Sequence, residues 1–223
     1  MRRKTGEPLS KTKLVEALQE IGIIATVRVP SDQQLLRGLA ALTDGGIRAV
    51  ELPYTTVRNN RWLIQQLKQN GLLIGVGAVT RSAQAREAGV FGADFITASV
   101  TAPDVVSACN EIDVPCILSG LTPTEVWRAH EMAADFVKIT AAEALGGPHY
   151  IHSLRETLPA MRLVGADMLL DSYVEYLEAG VEVLEFESSL ELQRMIEQEA
   201  WLEISQRASN IVNVRNHWKA SQL

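Results

Sequence analysis

The sequence predicts an α/β fold made of a (β/α)8 TIM barrel, with one helix ahead of it and a helical extension behind it. Three observations carry that prediction. Short apolar runs alternate with amphipathic stretches at a repeat of about 20 to 26 residues, as serial βα units do. Eight such runs occur, and eight units in about 200 residues is what a compact barrel needs. At 223 residues and 47% hydrophobic, the chain can bury one large core, and no composition break or low-complexity linker divides it. A doubly wound open sheet would show an edge strand, and none stands out. The whole of 1–223 is therefore expected to form a single domain, with the barrel over about 20–190 and a helical tail over about 191–218.

The start, MRRKTGEPLSK, is polar and lacks the apolar core of a secretion signal. A helix over about 11–20 follows, placed to close the barrel floor. The strands expected in order are IIATVRV, AVELPY, LIGVGAV, FITAS, PCILSG, FVKIT, RLVGAD and VLEFES, each a short run rich in β-branched and aliphatic residues. Between them lie SDQQLLRGLAALTDGG, RNNRWLIQQLKQNG and TPTEVWRAHEMAA, with apolar residues at helical spacing and, in several cases, the glycine that commonly follows a helix. The last stretch, LELQRMIEQEAWLEISQRASNIVNVRNHW, is amphipathic with Trp201 and Trp218. It is expected to pack over the last barrel helix or at a subunit contact. Its polar face mixes both charges, which argues against a membrane-surface role.

Composition narrows the function classes. The net charge of −6 is mild and the basic residues are scattered, which gives neither a nucleic-acid face nor a polybasic membrane anchor. A small soluble partner fits better. Two cysteines, Cys109 and Cys116, no signal pattern and no long apolar run predict a cytoplasmic protein.

Two charged residues stand inside apolar strands. In a strand buried on both faces, Val137 and Ile139 pack outward only if Lys138 points inward, and Val50 and Leu52 turn Glu51 inward by the same rule. A buried amine facing a carboxylate is either a structural ion pair or a Schiff-base site with its proton shuttle. Parity adds Arg28 on the first strand, Thr97 and Ser99 on the fourth, Asp167 on the seventh, and Glu185 and Glu187 on the eighth. Four carboxylates against two cations is far from the Val, Ile and Leu layers that usually fill a barrel. Function in such a barrel sits at the C-terminal ends of the strands. The acids Glu51, Asp167, Glu185 and Glu187 also offer oxygen ligands for Mg²⁺, a third use of the cluster.

Other candidates have plainer readings. His149 and His152 lie one helical turn apart, but no third ligand stands at zinc spacing, so they are expected at the surface. GVGAVTRSAQAREAG has a short glycine pattern without the full dinucleotide fingerprint, and is expected to be a strand with close backbone packing. Trp62 and Trp127 are expected as core or interface anchors.

These residues carry a resemblance. VKITAAEALGGPHYIHSL resembles the lysine segment of the 2-keto-3-deoxy-6-phosphogluconate and 4-hydroxy-2-oxoglutarate aldolase family, and AVELPYTT, preceded by GGIRAVE, is similar to its catalytic glutamate segment. TVRVPS, GVGAVT, SGLTPTE and AGVEVLEFESSL resemble further family segments in order, from about residue 13 to 190 of a barrel of the usual size. The resemblance implies a homotrimeric class I aldolase that cleaves 2-keto-4-hydroxy acids to pyruvate and an aldehyde, with no metal and no organic cofactor. It implies Lys138 as the Schiff-base nucleophile and Glu51 as the acid/base. It further implies Arg28, Thr55, Gly77, Ser99, Gly120, Thr140, Asp167, Glu185, Glu187 and Ser188 as the positions lining the keto-acid site.

The departures from the family pattern matter as much. Where the family has glycine-rich segments on the seventh and eighth strands that hold a phosphate or carboxylate by backbone N–H groups, this chain has VGAD and EFES. Asp167, Glu185 and Glu187 stand in place of glycines, where a backbone would have to approach an anion. A carboxylate about 4 Å from a phosphate costs roughly 4 kcal/mol per charge pair at an effective dielectric near 20. The expected substrate is therefore not phosphorylated. If Glu185 or Glu187 pairs with Lys138, the ammonium form is favoured and the amine is disarmed as a nucleophile, which would point to a degenerate barrel that binds a ligand or partner.

Overall fold

The computed structural model describes residues 9–28, 32–166, 168–169, 171–186 and 191–222. Eight parallel strands close into a barrel in sequence order: β1 Ile23–Thr26, β2 Ala49–Pro53, β3 Leu73–Val79, β4 Phe95–Ala98, β5 Cys116–Gly120, β6 Phe136–Ile139, β7 Leu163–Ala166 and β8 Val183–Phe186. The (β/α)8 expectation is met, and β8 closes on β1 through Ile24↔Glu185.

The helices follow in the order expected of βα units. α1 is Lys11–Ile21, α2 Asp32–Asp44, α3 Tyr54–Asn59, α4 Leu63–Lys68, α5 Ser82–Phe91, α6 Pro103–Glu111, α7 Pro123–Glu131, α8 Pro148–Thr157, α9 Tyr173–Glu178, α10 Leu192–Glu197 and α11 Trp201–Ser221. The segment expected as one helix after β2 is two, α3 and α4. Asn60 leaves helical geometry between them, with its N–H donating to Thr56 and Val57 carbonyls.

Strand parity divides the core in two. Outward residues such as Val50, Leu52, Ile74, Val137, Ile139, Leu184 and Phe186 join the helices in one large apolar layer. Inward, each strand contributes one residue to a second cluster: Ile24, Ala49, Leu73, Phe95, Ile117, Phe136, Val164 and Val183. Leu14, Val15 and Leu18 of α1 seal that cluster from below, so the N-terminal helix is the floor of the barrel. Gly22 ends α1 in the left-handed conformation (φ 65°), and its N–H bonds the Leu18 carbonyl at 2.8 Å before β1 begins. Gly75 leaves the barrel interior to the Phe95 ring, since a Cβ there would lie 2.1 Å from Phe95 Cε2.

The tail folds back as α10 and α11. Gly45, just past α2, sits against α11, where a Cβ would come within 2.4 Å of the Ser205 carbonyl oxygen. The extension thus covers the first helix of the barrel as well as α10. Trp62 and Trp127 depart from the core expectation: both are nearly half exposed, and Trp127 stands 5.9 Å from the His130 ring. Among the described residues no helix is long and apolar enough to cross a membrane.

Candidate active site

One step up from the apolar floor, the barrel interior turns polar. Two residues further along each strand, the alternation of side chains brings Thr26, Glu51, Gly75, Thr97, Ser119, Lys138, Ala166 and Glu185 to the inner face. Thr26, Glu51, Thr97, Ser119, Lys138 and Glu185 are all buried. Charges and hydroxyls gathered in a dry layer, directly above packed hydrocarbon, are costly unless they bond one another or a ligand.

The centre of the layer is Lys138. Its Nζ donates to Glu185 Oε1 at 3.1 Å, and the same oxygen accepts from Thr26 Oγ1 at 3.1 Å. Three strands, β1, β6 and β8, therefore meet at one carboxylate oxygen. Glu51, on β2, leans over β3, and it does so only because position 77 is glycine: a Cβ there would lie 1.9 Å from Glu51 Oε1. The second oxygens of both acids, Glu51 Oε2 and Glu185 Oε2, are buried without a hydrogen-bond partner, as is Thr97 Oγ1. Ser119 Oγ is satisfied by the Ala98 carbonyl at 2.7 Å.

Burial first, and the negative charge of Glu51 second, push the Glu185 carboxyl up to about 7, against the opposing pull of Lys138 and the Thr26 hydrogen bond. The consequence for stability follows from linkage. A carboxyl with a raised folded-state pKa contributes stability that is present below its ordinary value of 4.5 and is lost as pH rises through about 7. The loss is on the order of 3 kcal/mol. Glu185→Gln cannot ionise, so its stability is expected to gain on that of the wild type between pH 5 and pH 8; urea denaturation of both at each pH checks it. An equal pH response in the two proteins would contradict the raised affinity.

The remaining sequence candidates fall around this layer. Arg28 does not lie on β1 as expected: the strand stops at Thr26, and Arg28 is exposed. It lines a cleft of ≈ 380 Å³ with Thr26, Glu191, Leu192, Gln193, Arg194 and Glu197, and Thr26 is where that cleft reaches the buried layer. Arg194 is already paired with Glu191 at 2.7 Å. Thr140 is half-buried just past β6, in phase with Lys138. Ser99, expected inward, is exposed past β4, with its N–H donating to the Val79 carbonyl at 3.1 Å. Thr55 is exposed in the first turn of α3. Gly120 packs on α7, where a Cβ would stand 3.1 Å from the Val126 nitrogen, so a close helix explains its glycine without a ligand.

Asp167, Glu187 and Ser188 lie outside the described residues. The parity assumed for β7 is nevertheless corrected. Val164 belongs to the inner cluster and Leu163 to the outer one, so the inward positions of that strand are 164 and 166. Among the described residues no group of three or more His, Cys, Asp or Glu side chains could hold a metal ion. His149 and His152 are both exposed. Two members of the polar layer escaped the sequence reading, the Thr26 anchor of Glu185 and Ser119. Their signal was parity alone, two residues on from Ile24 and Ile117.

The comparisons with known proteins agree on this barrel. The family model described as "Aldolase: KDPG and KHG aldolase" matches residues 14–207. The 2-dehydro-3-deoxy-phosphogluconate aldolase of Treponema pallidum is 31% identical over 166 residues, which is 73% of this chain and 79% of that protein. Its Haemophilus influenzae counterpart is 26% identical over 144 residues, 64% of this chain and 68% of that protein. Among solved structures, the KDPG aldolase of Legionella pneumophila, with pyruvate captured at low pH as a covalent carbinolamine intermediate, superposes with a TM-score of 0.79 at 19% identity. That match covers 88% of this chain and 97% of the other, and shows the shared fold.

Proposed function

The chain belongs to the KDPG and KHG aldolase family, and from that premise we propose that it is a class I aldolase-type lyase that splits a 2-keto-4-hydroxy acid into pyruvate and an aldehyde. The observation that carries the reading is a buried primary amine, Lys138, in one polar layer with two buried carboxyls, Glu51 and Glu185. The covalent carbinolamine captured with pyruvate in the Legionella pneumophila aldolase, an amine adduct of a keto acid, supports a role for the Lys138 amine here.

In this mechanism the Lys138 amine adds to the keto carbon and water leaves, giving an iminium. The iminium draws electrons out of the bond between carbons 3 and 4. Glu51 takes the hydroxyl proton from carbon 4, the aldehyde departs, and the electron pair rests in a neutral enamine. Glu51 returns the proton to carbon 3, and water releases pyruvate from Lys138. A base held in a dry pocket contributes about 10² to 10⁴ to such a step. No metal enters it.

The substrate tail is proposed to be uncharged or cationic rather than phosphorylated. Among the described residues two acids, Glu51 and Glu185, already share the buried layer, and the cleft above Thr26 mixes Arg28 and Arg194 with Glu191 and Glu197. A hydroxylated tail can bond both signs, whereas a phosphate would meet carboxylates in the layer and in the cleft wall. Pyruvate release is the direct test, using two 2-keto-4-hydroxy acids of equal length, one ending in a hydroxyl and one in a phosphate. We expect kcat/KM to favour the hydroxyl form by about tenfold or more, a difference of about 1.4 kcal/mol. Preference for the phosphate would overturn the substrate reading.

The Lys138–Glu185 ion pair also favours a second reading, a barrel that keeps the family fold and binds a ligand without turning it over. Absence of pyruvate from both compounds would select it.

A further inference from the structure

Glu185 has no part in the mechanism above, although its carboxylate accepts a hydrogen bond from the Lys138 amine, and its geometry is specific. Oε1 accepts from Lys138 Nζ and from Thr26 Oγ1, each at 3.1 Å, which fixes the carboxyl plane from two sides. Oε2 is buried without a partner, a place where a proton can sit and be handed on. Among the described residues, two carboxyls and one amine share a buried layer sealed by hydrocarbon below, so full ionisation of these three would leave a net negative charge there.

We propose that Glu185 is the proton carrier of the Lys138 amine: it receives the proton the lysine sheds to become a nucleophile and returns it to the hydroxyl that leaves the carbinolamine. The proposal rests on the aldolase reading and gives the ion pair a purpose within it. The protons balance without solvent. Lys138 begins as an ammonium with three protons beside the Glu185 carboxylate. One proton passes to Glu185, and the free amine attacks the keto carbon, forming the carbon–nitrogen bond. A second moves from nitrogen to the former carbonyl oxygen, giving the carbinolamine hydroxyl. Glu185 then protonates that hydroxyl, the carbon–oxygen bond breaks, and water departs with both protons. The end state is an iminium beside a carboxylate, with the charge pair conserved. The structure keeps such transfers within reach, because burial and Glu51 push the Glu185 carboxyl up to about 7.

Among the described residues, the polar and charged groups facing Glu185 are Thr26 from β1, Glu51 from β2 and Lys138 from β6, while β7 presents the neutral Ala166. Arg28 lies beyond β1 at the cleft.

The experiment is the rate of pyruvate adduct formation on the full chain, trapped with borohydride and weighed by mass spectrometry from about pH 5.5 to 10. The wild-type rate is expected to rise through about pH 7, as Glu185 empties to receive a proton, and then to level. Glu185→Gln cannot carry the proton, so the amine must lose it to solvent. Its rate is expected to be about 10²-fold lower near pH 7.5 and to climb about tenfold per pH unit, recovering above pH 9. A Glu185→Gln profile matching the wild type in height and shape would overturn the proposal while leaving the aldolase reading intact. No adduct in the wild type would overturn the aldolase reading itself, and this proposal with it. If Glu185→Gln does not fold, Thr26→Val serves in its place. Loss of that hydrogen bond to the charged carboxylate moves the acid limb to higher pH, and an unmoved limb counts against the proposal.

Discussion

Lys138→Met is expected to lower the rate of pyruvate release by about 10³-fold or more while leaving the barrel folded, because the covalent route disappears with the amine. Methionine fills nearly the same volume as the lysine stem, so the side chain still packs between Glu185 and the apolar floor formed by Phe136 and its neighbours. Removing the ammonium leaves Glu185 without its ion-pair partner, and its carboxyl then keeps its proton to higher pH. A fall in activity without loss of the thermal transition is the expected pair of results, measured by a coupled pyruvate assay and by circular dichroism. Turnover retained within a few-fold would contradict the Schiff-base account.

Glu51→Gln carries the second large effect. The substitution keeps shape and removes only the ability to exchange a proton, and kcat is expected to fall about 10²- to 10⁴-fold. Lys138 remains in place, so the variant still forms a trappable adduct with pyruvate. That separation distinguishes the acid/base from the nucleophile. Gly77 gives the same site an independent handle, since its missing Cβ is what admits the Glu51 carboxyl against β3. If Glu51→Gln turns over as fast as the wild type, the base lies elsewhere in the layer.

Much of this site was legible because two rules coincide in a parallel barrel. Apolar neighbours fix parity, and parity sends the odd polar residue inward. Lys138 between Val137 and Ile139, Glu51 between Val50 and Leu52, and Glu185 between Leu184 and Phe186 all face inward in the structure. The rule loses its force where both faces of a strand are equally apolar. In β7, Leu163 and Val164 are indistinguishable by hydrophobicity, and only pairing with β6 and β8 decides that Val164 faces in. Arg28 was misplaced for a related reason. The run IIATVRV continues apolar past Thr26, but the strand ends there, so phase alone carried Arg28 further inward than it lies.

Thr26 shows the limit from the other side. A threonine in a β-branched run is ordinary for a strand, and nothing in its type marks it as the anchor of a carboxylate contributed from residue 185. That contact exists only because β8 closes on β1, a pairing between the two ends of the barrel sequence. Periodicity alone leaves Trp62 and Trp127 as core or interface residues, and the structure removes the first alternative: both lie where the helical stripe meets solvent.

The central claim is that Lys138 is a live Schiff-base nucleophile, and borohydride trapping with pyruvate followed by peptide mapping tests it most directly. The account predicts a reduced pyruvyl adduct on the peptide carrying Lys138, absent from Lys138→Met. No adduct between neutral pH and about pH 10, or an adduct on a different lysine, would contradict it.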